Sequence, residues 1–127
     1  MNFYKEELLD HYYHPRNRQR LEKPDFCSGQ VNPSCGDSVE MAGHLFNGSI
    51  QKLAFTGAGC VISQATASLL TEYAQGKTTQ EILHFSQDDL TTLLKIELGP
   101  MRFKCAYLSL AALQKGLLEV ADKASLC

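Results

Sequence analysis

Hydrophobic positions along the chain change period several times, and each change marks a predicted element. Phe3, Leu8, Leu9, Tyr12 and Tyr13 recur at helical spacing behind Asn2, a residue suited to an N-cap, and Pro15 ends the run because it lacks an N–H and restricts its predecessor. From Pro15 to Gln30 there is no period, so this stretch reads as loop. Its cations Arg16, Arg18, Arg20 and Lys23 are most simply solvated, with a docking surface as the alternative. Val39, Met41 and Leu45 then alternate with polar or small residues, Asn47-Gly48 is a type I′ turn dipeptide, and Leu53 and Phe55 resume the alternation. That pattern is a β-hairpin, with Ile50 out of phase and so a bulge or a late strand start.

Beyond Gly57-Ala58-Gly59 the period returns to helical through Ile62, Thr66, Leu69 and Tyr73, with Gly76 as the stop. Thr78 with Glu81 and Ser86 with Asp89 each match the capping-box spacing, which predicts two short helices carrying Ile82, Leu83, Leu90, Leu93 and Leu94. A last helix starts at Pro100 or Arg102 and runs through Tyr107, Leu110, Leu113 and Leu117, with Gly116 inside it or ending it. The order of helix, strands and then helices lacks βαβ alternation. It predicts an α+β fold, a small antiparallel sheet of about three strands covered on one face by helices, in a single domain spanning 1–127.

Composition narrows the function. The 127 residues are 44% hydrophobic and 20% charged, with a formal net charge of −2, so no excess of positive charge favours nucleic acid. No apolar run has the length of a membrane span, and no basic leader precedes an apolar segment at the start, which places the expected protein in the cytoplasm with no membrane partner. Five cysteines, an odd number spread along the chain, fit a disulfide framework poorly.

Three of the five sit where chemistry is favoured. Cys35 lies in the turn-forming Asn32-Pro33-Ser34-Cys35-Gly36-Asp37, beside a carboxylate. Cys60 follows Gly57-Ala58-Gly59, where small residues let the backbone approach a bound ion and the next helix offers N–H groups to a thiolate. Cys105 falls early in the last helix behind Arg102 and Lys104, where dipole and cations also suit a thiolate. With Asp37 these make a possible four-ligand set for zinc or iron, since Mg²⁺ and Ca²⁺ prefer oxygen shells. A carboxylate in place of a fourth sulfur would weaken the hold on a soft metal, which suits a site that releases its cargo. Spacing alone leaves buried, inert cysteines as the simpler account, because no Cys-x-x-Cys pair is present. Ile62 stands at the third glycine position of a dinucleotide fingerprint, which removes that reading of the glycines. His11, His14, His44 and His84 read as surface or packing residues, and Cys27 and Cys127 as bystanders.

At these residues the chain resembles the IscU/SufU, or NifU-like, family of iron-sulfur cluster assembly scaffolds. The resemblance rests on Tyr4-Lys5-Glu6-Glu7-Leu8-Leu9-Asp10-His11-Tyr12, His14-Pro15-Arg16-Asn17, Asn32-Pro33-Ser34-Cys35-Gly36-Asp37, Gly57-Ala58-Gly59-Cys60-Val61-Ile62-Ser63-Gln64-Ala65-Thr66-Ala67-Ser68 and Arg102-Phe103-Lys104-Cys105-Ala106-Tyr107-Leu108, in that order. It implies that Cys35, Cys60 and Cys105 hold a transient iron-sulfur cluster, of the 2Fe–2S type, or a zinc ion, with Asp37 as the labile fourth ligand. It further implies a cysteine desulfurase as sulfur donor and downstream cluster acceptor proteins as partners, and a carrier rather than an enzyme. Lys104 stands where the IscU branch has His, and Leu98-Gly99-Pro100-Met101-Arg102 matches only part of the segment gripped by an Hsp70-type chaperone, so a chaperone partner is not implied. Arg-x-Lys-Cys-Ala resembles the SufU branch, which binds zinc and accepts persulfide sulfur, although the stretch from Cys60 to Cys105 is short for that branch. Lys104 is then either a solvated lysine or an ammonium that steadies Cys105 in its attack on a persulfide. A structural zinc domain that binds a partner protein is the third reading.

Overall fold

A computed structural model describes residues 3–34 and 36–122. The elements in chain order are α1 (Phe3–Tyr13), β1 (Phe26–Asn32), β2 (Asp37–Phe46), β3 (Ser49–Ala58), α2 (Val61–Ala74), α3 (Thr79–Leu83), α4 (Gln87–Leu94) and α5 (Pro100–Asp122). The strands form one antiparallel sheet in the order β1-β2-β3, as expected of an α+β fold. No helix among the described residues is long and apolar enough to cross a membrane.

The hairpin forms as its sequence dictates. Asn47 and Gly48 both take positive φ, the type I′ requirement, and the register shifts between His44 and Leu45, so that Ile50 pairs with Leu45 and points inward. Both capping boxes are present, with Thr78 and Ser86 each accepting from the backbone N–H three residues on. Asn2 lies outside the described residues.

Strand β1 corrects the reading of residues 15–30 as loop throughout. Its inward positions alternate as Phe26 and Ser28, a pattern that loses its hydrophobic signal after one residue. Phe26 nevertheless anchors the core. A Cβ on Gly43 or on Gly116 would come within 2.6 Å of its ring, so two glycines on facing elements leave the space that the ring fills. Gly116 therefore neither breaks nor ends α5.

Helices α2 and α5 pack on one face of the sheet, α5 along β1 and β2 and α2 along β3, while α1 packs on α2. Enclosed between these layers, α2 buries ten residues on nearly all sides, among them Ser63, Thr66, Ser68 and Thr71, whose small size lets its neighbours approach. The segment after α1 pairs by its backbone with the free edge of β3, where Gln19 N–H donates to the Phe55 carbonyl and Phe55 N–H to the Asn17 carbonyl. Arg18 bridges to Phe55, and the Arg18 guanidinium donates to the Gly57 carbonyl at 3.0 Å. Arg16 binds Asp10 at 2.6 Å, so two of the four cations in that segment serve internal contacts.

Candidate metal centre

Antiparallel pairing decides where the chemistry gathers. Asn32 pairs with Asp37 at one end of the sheet, and Ser38 pairs with Ala58 at that same end. The start of β2, the exit of β3, the first residue before α2 and the early turns of α5 therefore share one corner. Asp37, Cys60 and Cys105 meet there, and one ligand atom from each lies within 4.8 Å of the others. Cys60 is exposed and Cys105 is 9% exposed; both sulfurs are thiols.

Asp37 is only 2% exposed and holds Cys60 twice. Its Oδ1 accepts the Cys60 backbone N–H at 3.0 Å, and its Oδ2 accepts the Cys60 thiol at 3.1 Å. Cys60 is the N-cap of α2, but its sulfur makes no capping bond to the helix, so the N–H groups expected to face the thiolate are not what positions it. The carboxylate does. Behind Cys60, Gln64 Nε2 donates to Ser63 Oγ at 3.0 Å, and Ser63 Oγ donates to the Cys60 carbonyl at 3.2 Å.

The glycine triplet has a role different from the one its composition suggests. Gly59 has φ +144, and a Cβ there would collide with the Asp37 carboxylate, so the missing side chain makes room for Asp37. Gly57 likewise clears the Ser38 carbonyl, to which Gln64 Nε2 donates at 3.2 Å.

Lys104 is exposed, and with Asn32, Ser34, Met101, Arg102 and Cys105 it lines a cavity of about 180 Å³ on the α5 side of the trio. Cys35 lies outside the described residues, as does Cys127. The turn that carries Cys35 is bracketed by the paired Asn32 and Asp37. Cys27, on β1, is disulfide-bonded and adds no ligand. The four histidines lie elsewhere. His11 is buried between α1 and α2, His44 Nε2 contacts the Glu22 carbonyl and His84 Nδ1 contacts the Gln80 carbonyl. Sequence reasoning missed Asn32, Ser63 and Gln64 as supports of the corner; the only signal for them was their place inside the motifs.

Chemically, the trio consists of three acids. Each becomes negative on losing its proton, and at separations within 4.8 Å the charged forms repel unless a cation lies between them. Two sulfurs with one carboxylate oxygen suit zinc or iron better than a hard cation.

The chain is similar to several known proteins. The family model described as "NifU-like N terminal domain" matches residues 3–125. A relative named zinc-dependent sulfurtransferase SufU, from Bacillus subtilis, is 31% identical over 90% of this chain and 88% of its own length. The iron-sulfur cluster assembly scaffold protein IscU of Haemophilus influenzae is 31% identical over 94% of this chain and 97% of its own. A crystal structure from Fervidobacterium islandicum, provisionally named an iron-sulfur cluster assembly scaffold protein for the SUF system, superposes with a TM-score of 0.78. It is 25% identical and covers 88% of this chain and 94% of that one.

Proposed function

This chain belongs to the family of the NifU-like N terminal domain, and from that premise we propose that it is an iron-sulfur cluster assembly scaffold. The observation that carries the proposal is the convergence of Asp37, Cys60 and Cys105 at a corner where one sulfur is exposed. Cys35, on the turn joining β1 to β2, is the proposed fourth ligand. The cargo is a transient 2Fe–2S cluster, held by three sulfurs and released past the carboxylate.

Sulfur arrives from a cysteine desulfurase as a persulfide. A thiolate of this chain attacks the terminal sulfur, a new S–S bond forms, the donor's S–S bond breaks, and the donor cysteine leaves as a thiolate. That exchange needs no outside electrons. Of the two described sulfurs Cys60 is the exposed one, while Cys105 is reached from the cavity that Lys104 and Arg102 line, where an ammonium and a guanidinium favour an anionic nucleophile. Reduction of the delivered sulfur to sulfide then requires electrons from iron or from a partner. Downstream acceptor proteins take the finished cluster.

A second reading has its own support. Lys104 beside Cys105 and the likeness to a zinc-dependent sulfurtransferase favour a zinc-bound persulfide acceptor that hands sulfur on. The proposed zinc ligands are the same four residues. Anaerobic reconstitution with iron, a desulfurase and cysteine separates the two. Visible absorption from a protein-bound cluster is expected of the scaffold; tightly held zinc, no cluster and faster desulfurase turnover would replace that reading with the acceptor. If Cys60→Ser or Cys105→Ser unfolds the protein, the site is a structural zinc centre and both readings fail.

A further inference from the structure

We propose that Asn32 is a positioning residue for Cys105, presenting an amide N–H to its sulfur. Asn32 ends β1 and is half-buried beside the cavity that Cys105 lines. The backbone N–H of Ser34 donates to Asn32 Oδ1 at 3.1 Å, and the Gly36 N–H donates to the Asn32 carbonyl at 2.8 Å. Because a backbone N–H can only donate, the first bond fixes which end of the side-chain amide is oxygen. The NH₂ group must then face the other way. There it meets Cys105 Sγ at 4.0 Å, across 73 positions of sequence.

One side chain therefore ties the turn between β1 and β2 to the α5 sulfur. The 4.0 Å approach is long for an N–H···S contact, and a charged sulfur draws such a donor closer because charge-assisted bonds are shorter and stronger. An N–H aimed at a metal-bound thiolate withdraws electron density from the sulfur and lowers its energy as a donor to the metal, the kind of influence outer partners exert on ligands. Asn32 would thus moderate how tightly Cys105 holds its cargo, while the turn bond keeps the amide in place. This inference rests on the reading of Cys105 as a ligand.

Cobalt(II) substitution tests it, because sulfur-to-cobalt charge transfer is visible and its energy follows the electron density on sulfur. Asn32→Asp and Asn32→Ser both keep an oxygen for the Ser34 N–H, and neither offers an N–H that reaches Cys105. Both variants should melt near the wild-type temperature, with the charge-transfer band moved to lower energy, furthest for Asn32→Asp. In a Cys105→Ser background, Asn32→Ser should leave the remaining band unmoved. Unmoved bands in the single variants, with or without a lower melting temperature, would reduce Asn32 to a turn former and overturn the proposal. A shift that persists without Cys105 would overturn it too. Wild-type protein that binds no cobalt through sulfur would instead refute the metal centre itself, and this inference with it.

Discussion

At its first turn α2 holds Cys60 against Asp37 and Cys105; two turns further on, Ser68 and Glu72 of the same helix hold His11 and Arg16. Both clusters bring ionisable groups toward the interior. The second is closed by its own charges. Arg16 pairs with Asp10 at 2.6 Å and approaches Glu72 at 3.9 Å, and its backbone N–H donates to Ser68 Oγ at 2.8 Å. With that oxygen accepting from Arg16, the Ser68 hydroxyl hydrogen is available to His11 Nδ1 at 2.7 Å. The other ring nitrogen, Nε2, faces Glu72 at 3.7 Å. The first cluster gathers acids at one point, so its charged state calls for a cation from outside. One arrangement locks α1 onto α2; the other is poised to take a ligand.

Removing sulfur should give the largest effect. An apparent zinc affinity of about 10–16 kcal/mol shared among four ligands implies roughly a hundredfold or greater loss per sulfur. Cys60→Ser and Cys105→Ser should each show that loss in competition with a chelator, while circular dichroism stays native. Affinity unchanged in both variants would erase the contrast between the clusters.

Gly59→Ala comes next, since it meets both a left-handed φ and the Asp37 carboxylate. We expect about 1–3 kcal/mol of destabilisation in denaturant titration, together with weaker metal binding as Asp37 is displaced. Metal binding at wild-type strength would show that Asp37 need not stay where it is.

The closed cluster should respond to pH. Burial, with help from Arg16, holds the His11 pKa below its ordinary 6.5, so the folded state binds this proton less readily than the unfolded chain. Stability is therefore fully present above pH 6.5 and is lost as pH falls through the lowered folded value. Asp10, whose pKa is lowered chiefly by its bond to Arg16, loses its contribution only as pH falls below about 4, the ordinary carboxylate range. The midpoint of urea unfolding should thus drop between pH 7 and pH 5, and His11→Gln should flatten that slope. An equally steep slope in the variant would assign it to other groups. Smallest are the caps far from both clusters: Thr78→Ala and Ser86→Ala should each cost about 1 kcal/mol in thermal melting without altering metal uptake.

Legibility in the sequence followed signal strength. The type I′ turn, the bulge near Ile50 and the two capping boxes depend on residues within four positions of one another, and each could be read directly. Strand β1 could not, because Ser28 and Gln30 at inward register positions do not announce a buried face. His11 carried no sign that Ser68, 57 residues on, would bury it. At the candidate centre, residue types and their place in turns and helix starts made Asp37, Cys60 and Cys105 possible ligands, and only the resemblance of the motifs raised them above inert cysteines. No local pattern hinted that Gly59 is small for the sake of the Asp37 carboxylate.

Local chemistry, then, was set by the sequence alone: which segments turn, where helices begin, which side chains can bind a soft metal. Those choices depend on backbone sterics and short-range hydrogen bonds that neighbouring residues decide among themselves. Which acids share a corner, which histidine is enclosed and which amide faces a sulfur were decided only by tertiary structure. Antiparallel register and helix packing bring together residues tens of positions apart, and no local preference encodes that distance.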